Sequence, residues 1–234
     1  MTDQHTITTM FDDIAPHYDQ LNHLLSLNID KRWRKRLSQA ITRQRPQSIL
    51  DVATGTADQA IQLAKDHPQA SITGIDLSEK MLEIGRKKVA KKKLEERIHL
   101  LSGDASALPF DDNSFDAVTV SFGVRNFSDL NQGLREMLRV TKDQGQVVIL
   151  EFSEPKNLFR IPYRCYFNHL LPRIGQTVSK NSTAYTYLPA SVAAFPNPEE
   201  FTRLLEVAGL RNIERQTLSS GIATLYTGNV EKTT

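Results

Sequence analysis

From Ser48 onward the chain alternates short apolar runs with longer amphipathic stretches, and few architectures accept that order. The apolar runs are SILDVA (48–53), SITGIDL (71–77), RIHLLSGDA (97–105), FDAVTVSF (115–122) and QVVILEF (146–152). Helix-like segments at Gln59–Lys65, Glu79–Lys93 and Leu130–Arg139 separate them. Strands alternating with helices argue for βαβ units and a parallel sheet. Pro198 to Ala208 reads as a further helix, stopped by Gly209, and IERQTLS (213–219) and IATLYTG (222–228) read as two late strands at the sheet edge. The expected fold class is α/β, a mostly parallel central sheet with helices on both faces.

With 234 residues the chain is read as a single domain. Residues 1–45 form its helical cap, because Leu21, Leu24, Leu25, Trp33 and Leu37 recur near helical spacing, with the basic run 31–36 as a turn between them. Residues 46–152 are the core that carries a cofactor. Residues 153–198 break the rhythm and hold seven of the sixteen Phe and Tyr residues, as expected of an inserted substrate pocket; 199–234 supply the last helix and the edge strands. A net charge of +2 provides no strong field for nucleic acid. One cysteine, Cys165, suits a reducing cytoplasm, and the start MTDQHTITTMFDD has no apolar run of a signal peptide. No stretch reaches the ~18 apolar residues of a membrane span.

Three strand ends carry acids. DVATGTAD (51–58) ends the first strand and turns at Gly55, where a missing Cβ permits close backbone approach. Asp76 ends the second strand, where a carboxylate accepts both ribose hydroxyls of a nucleoside. Asp104 ends the third, in GDASALPF (103–110), within reach of an adenine amino group. Each has a plain alternative: an ordinary turn, a helix N-cap shared with Ser78, a strand-end turn. Together they fit a nucleoside spread across the sheet top. A nicotinamide dinucleotide asks for G-x-G-x-x-G, whereas this turn reads Gly55-Thr56-Ala57-Asp58-Gln59-Ala60, with Asp58 expected to repel a pyrophosphate. A phosphate-free cofactor with a cationic sulfonium suits it better; an NAD(P)-dependent oxidoreductase is the alternative from another class.

Longer runs carry a resemblance. FDDIAPHYDQLNHLLSLNIDKRW (11–33), GIDLSEKML (74–82), TVSFGVRNFSD (119–129), RVTKDQGQVVILEFSEP (139–155), LPRIG (171–175) and AYTYLPASV (184–192) are similar to the menaquinone/ubiquinone biosynthesis C-methyltransferases over nearly the whole chain. The resemblance implies a Rossmann-like class I methyltransferase that uses S-adenosylmethionine and no metal. It implies that Gly55, Thr56 and Asp76 contact the cofactor, that Asp104 and Ala105 flank the adenine, and that Ser121 also faces the cofactor. Four departures stand out, the first being Leu21 in place of a methionine. Ala57 replaces a glycine, so the turn is expected at a φ that tolerates a Cβ; Asp30 replaces a histidine; and Asp143-Gln144-Gly145 replaces a Pro-Gly-Gly turn.

The implied reaction is C-methylation of a reduced, prenylated quinone, converting demethylmenaquinol to menaquinol, with a ubiquinone-pathway benzoquinol as the alternative acceptor. A phenol has a pKa of ~10, so the site must stabilise the phenolate that activates the ring carbon. Arg125 is the candidate for that electrostatic role and Asn126 for a hydrogen bond to a quinone oxygen. The plain alternative for Arg125 is an ion pair with an acid such as Asp129. Peripheral membrane contact would bring the enzyme to a lipophilic acceptor, and a homodimer stays open. The run Lys87–Lys93 reads as a solvated helix face, with anionic lipid as its alternative partner.

Overall fold

The computed structural model describes residues 4–41, 45–155 and 182–232. The cap comprises α1 (Gln4–Ile14), a short 3-10 turn (Ala15–His17), α2 (Tyr18–Leu25) and α3 (Ile29–Ala40). The alternating core follows: β1 (Ser48–Val52), α4 (Asp58–Asp66), β2 (Ser71–Asp76), α5 (Glu79–Lys91), β3 (Ile98–Ser102), β4 (Phe115–Ser121), α6 (Leu130–Val140) and β5 (Thr141–Phe152). After the undescribed stretch come α7 (Ser182–Ala194), α8 (Pro198–Ala208), β6 (Leu210–Leu218) and β7 (Ala223–Val230).

The seven strands form one sheet in the order β3-β2-β1-β4-β5-β7-β6. The first five are parallel, and β7 runs antiparallel to both β5 and β6. The expected doubly covered sheet is therefore present, with the late strands at its edge. Leu37, Leu63, Leu82 and Val89 cover one face with Ile49 and Ile72. Leu134, Met137, Phe201 and Leu205 cover the other with Leu50 and Val118. Strand order reverses between β1 and β4, where sheets of this kind open a crevice at their carboxyl ends.

Two local expectations are corrected. The basic run 31–36 is no turn: it lies inside α3, because Trp33 and Leu37 bury one face and leave Lys31, Arg32, Lys35 and Arg36 on the other. Ala57 does not take an ordinary φ; it sits at φ 64° as the residue before α4, fully buried. A left-handed alanine is uncommon but sterically allowed. The triplet Asp143-Gln144-Gly145 lies within β5, where the register against β4 shifts and Gln144 takes φ 59°.

Candidate active site

The crevice is real. One cleft is lined by the ends of β1 (Val52, Ala53, Gly55), β2 (Ile75, Asp76), β3 (Gly103, Asp104, Ala105) and β4 (Ser121, Phe122, Gly123, Asn126), and from the cap by Ile7, Phe11 and Tyr18. With its open mouth included, its empty space is about 760 Å³. Ala53, Gly55 and Phe122 hold positive φ (52°, 55° and 58°) around it. Backbone strain gathers at such sites. A Cβ added to Gly55 would meet nothing within 4 Å, so the glycine leaves an open cradle at the cleft wall. At Gly123 a Cβ would lie 2.6 Å from Ala53 Cβ, so the ends of β1 and β4 approach this closely only with glycine there.

At the β1–β3 end, Asp76 accepts from the Gly55 N–H through Oδ2 (2.8 Å) and from the Ser78 N–H through Oδ1 (2.9 Å). Burial pushes its carboxyl above the ordinary range, while the N–H groups of Ser78, Gly55 and Leu77 pull it back and Asp12 adds to the rise. Ser78, not Asp76, caps α5 by accepting from Met81 N–H. Each Asp76 oxygen keeps acceptor capacity for a ligand hydroxyl. Asp104 accepts from Ser106 N–H at 2.8 Å and lines the cleft with Ala105. Met81 also lines it, pinned by Met10, Ile14 and Ala15 of the cap. Asp51 lies beneath the floor, hydrogen-bonded by Thr54 and Thr119, with its carboxyl raised by burial to about 6.

Thr56 does not line this cleft. It is buried, and its hydroxyl lies between Asp19 and Lys88. Lys88 also pairs with Asp58, which His23 approaches at 3.5 Å. The Asp58 charge is thus met by Lys88 rather than turned on a ligand. What disfavours a pyrophosphate is the cleft itself: among the described residues that line it are two acids, Asp76 and Asp104, and no Lys, Arg or His.

At the β4 end Asn126 lines the cleft, and its Oδ1 accepts from the Tyr187 hydroxyl at 2.9 Å, which leaves the amide N–H groups to donate. Arg125 lies behind the lining. It pairs with Glu151 at 2.8 Å, reaches Phe122 O and Ser191, and stacks 5.3 Å above Phe152. Its expected alternative partner, Asp129, instead caps α6. Sequence reasoning passed over Tyr18 and Arg34. Tyr18 lines the cleft, and Arg34 donates to Ser121 Oγ at 2.6 Å. Asp30 is buried away from the cleft, held by His23 and Ser26. Most of the aromatic stretch, with His169 inside it, lies outside the described residues.

The model of the ubiE/COQ5 methyltransferase family matches residues 1–230. A demethylmenaquinone methyltransferase of Deinococcus radiodurans is 47% identical, covering 95% of this chain and 92% of its own length. A ubiquinone/menaquinone biosynthesis C-methyltransferase of Geobacter sulfurreducens is also 47% identical, covering 95% of this chain and 87% of its own. A solved SAM-dependent methyltransferase of Thermotoga maritima superposes with a TM-score of 0.66 at 17% identity, over 95% of this chain and 99% of that one. At that identity it supports the fold alone.

Proposed function

The chain belongs to the ubiE/COQ5 methyltransferase family, and from that premise we propose that it methylates a ring carbon of a reduced, prenylated naphthoquinol, converting demethylmenaquinol to menaquinol with S-adenosylmethionine as methyl donor. The observation that carries the reading is the charge of the cleft: two acids and no cation among its described lining residues favour a cationic, phosphate-free nucleoside over NAD(P). Bound there, the cofactor supplies an electrophilic methyl group. Asp76 binds the ribose hydroxyls, Asp104 and Ala105 flank the adenine, and the Gly55 cradle admits the chain beyond the ribose. Ser121 stands where the nucleoside end meets the acceptor end. Thr56 acts on the cofactor indirectly, by tying its loop to Asp19 and Lys88.

The acceptor needs electron density on its ring carbon, hence a phenolate or one forming as the methyl moves. Asn126 donates to a ring oxygen. Arg125, paired with Glu151, holds the turn that presents Asn126. In-line placement of the carbon supplies the rest. A benzoquinol acceptor is the second reading, since the Geobacter relative's name spans both pathways. No helix among the described residues is long and apolar enough to cross a membrane. Contact with the membrane surface is assigned to the exposed basic side of α3 beside Leu27, itself 78% exposed.

The test is mass spectrometry of products after both reduced acceptors are supplied, with calorimetry of S-adenosylmethionine against NAD. A methylated naphthoquinol and binding of the former cofactor alone are expected. Methylation of the oxidised quinone at an equal rate would overturn the phenolate route.

A further inference from the structure

Two guanidinium groups back the β4 end of the cleft, and they are not equivalent. Arg125 is matched. Glu151 faces it at 2.8 Å, with side-chain exposures of only 6% and 1%, and Phe122 O and Ser191 Oγ take further N–H groups. A buried pair of this kind presents little net charge to its surroundings.

Arg34 is matched far less well. Its nearest ion-pair contact, Asp30 Oδ2, is 3.9 Å from Nε, beyond a hydrogen bond. That same oxygen already lies 2.8 Å from His23 Nδ1, and Asp30 Oδ1 takes Ser26 Oγ at 2.6 Å. Arg34 Nε is buried with no hydrogen-bond partner. What the guanidinium does meet is the cleft wall: NH1 donates to Ser121 Oγ at 2.6 Å, and Cζ stands 5.4 Å over the Phe122 ring. Ser121 and Phe122 both line the cleft.

A hydroxyl that accepts from a guanidinium keeps its own proton to donate, and a charged donor behind it strengthens that donation. We propose that Arg34 is a positioning residue for methyl transfer, fixing the Ser121 hydroxyl as a polarised donor to the acceptor's ring oxygen. The inference rests on the reading of this enzyme as a quinol methyltransferase. The Ser121 proton stays on Ser121 throughout; the acceptor hydroxyl gives up its own proton to solvent, and the hydrogen bond stabilises the ring oxygen as negative charge collects on it before the ring carbon takes the methyl group. The cleft contains a phenol of its own that reports the same field. Burial raises the Tyr18 hydroxyl, and among the charges that pull it back down Arg34 comes first and Arg125 second. Among the described residues, the titratable groups that meet Arg34 are Asp30 on its own helix, Tyr18 on α2, Asp58 on α4 and Asp51 on β1, with His23 of α2 set against Asp30 and Asp58.

The experiment measures kcat against pH under reducing conditions, with S-adenosylmethionine and a short-chain demethylmenaquinol, for wild type, Arg34→Met, Arg34→Lys, Ser121→Ala and Arg34→Met/Ser121→Ala. Calorimetry of cofactor binding and a thermal melt accompany each. Wild type must first make product; if it makes none, the quinol reading fails before this one is reached. Arg34→Met should lower kcat about 10–100-fold, less than loss of a direct oxyanion donor. Its pH midpoint should move up by about one unit, as the ring hydroxyl loses the field that eased its ionisation. Ser121→Ala should show the same upward shift, and the double variant should be little worse than either single one. Arg34→Lys should restore the midpoint more than the rate, because it keeps the charge and loses the fork. Cofactor affinity should stay within about twofold in every variant. A wild-type midpoint in Arg34→Met overturns the proposal, as does a loss confined to cofactor affinity, which would give Ser121 to the cofactor alone. If Arg34→Met fails to fold, the midpoints of Ser121→Ala and Arg34→Lys decide.

Discussion

The two ends of the cleft are made in different ways. The nucleoside end is a row of β–α turns in which partners are near in sequence: Asp76 holds Ser78 two residues on and Gly55 twenty-one residues back. The acceptor end is assembled across the chain: Arg125 meets Glu151 at a separation of 26, Tyr187 meets Asn126 at 61, and Arg34 meets Ser121 at 87. Their charges differ too. Acids line the first end, and guanidinium groups stand behind the second. That polarity suits a cationic cofactor at one end and, at the other, an acceptor whose hydroxyl must ionise before its ring carbon attacks; the transfer itself then neutralises both charges.

If the acceptor end depends on long-range pairs, cutting one should cost stability as well as rate. Arg125→Ala leaves Glu151 at 1% exposure with no cation beside it. We expect a loss of about 3–5 kcal/mol in urea unfolding, the scale for breaking a buried ion pair from one side. We also expect kcat to fall, with cofactor affinity nearly unchanged in whatever fraction folds. An intact unfolding midpoint would mean that the pair contributes nothing to the fold and that the two ends are alike in this respect.

Asp51 lies under the boundary between the ends, tied to Thr54 and to Thr119 of β4. Burial raises its carboxyl to about 6, against 3.8 in the unfolded chain. Between those values the folded protein holds a proton that the unfolded one has lost, so this group's contribution to stability grows as pH falls from about 7 to 4. Asp51→Asn removes the titration. Wild-type stability minus that of the variant should therefore rise toward acid by up to about 3 kcal/mol. Parallel pH profiles would show that Asp51 is solvated in the folded state.

At the nucleoside end the expected cost is in binding. Asp76→Ala should weaken S-adenosylmethionine binding by roughly 1.5–3 kcal/mol in calorimetry while the protein stays folded. Binding of the ribose uses the ionised carboxylate. Because burial holds that carboxyl above its ordinary value, affinity should also fall as pH drops through the raised pKa. Unchanged affinity in the variant would take Asp76 out of the site.

The same contrast separates what could be read in the sequence from what could not. Strand–helix alternation, the acids at strand ends and the glycine turn are local patterns, and the sheet keeps them. The partner of Arg125 was out of reach. Spacing points to Asp129, but β4 and β5 pair in parallel with Ser121 opposite Leu150, which brings the turn after β4 beside Glu151. Arg34 was hidden in a run that reads as a basic turn. Once Trp33 and Leu37 turn α3 inward, its four neighbouring cations face solvent while Arg34 lies against Ser121. The left-handed Ala57 was equally invisible: it sits fully buried at φ 64° ahead of α4, a conformation that an alanine's identity does not announce.

Thr56 gives the smallest effect and tests the comparison most finely, because it belongs to the nucleoside end by sequence and to the cap by contact. Family resemblance assigns its side chain to the cofactor. In the fold its hydroxyl donates to Asp19 Oδ1 and lies 3.2 Å from Lys88 Nζ, while Lys88 bridges Asp19 and Asp58. Lys88 and Arg34 together hold the Asp58 carboxyl below its ordinary range against the effect of burial. These ionic side chains are 22–25% exposed, so salt screens them and each pair contributes modestly. Thr56→Val keeps the shape and deletes the hydroxyl. It should cost about 1 kcal/mol in unfolding, the usual worth of one hydrogen bond, and leave cofactor affinity within about twofold. Raising ionic strength should weaken wild type toward the variant, since the bond it loses belongs to a charged cluster. The opposite pattern, an unchanged unfolding midpoint with a tenfold loss of cofactor affinity, would return Thr56 to direct contact and require the loop to turn its hydroxyl into the cleft when the cofactor binds.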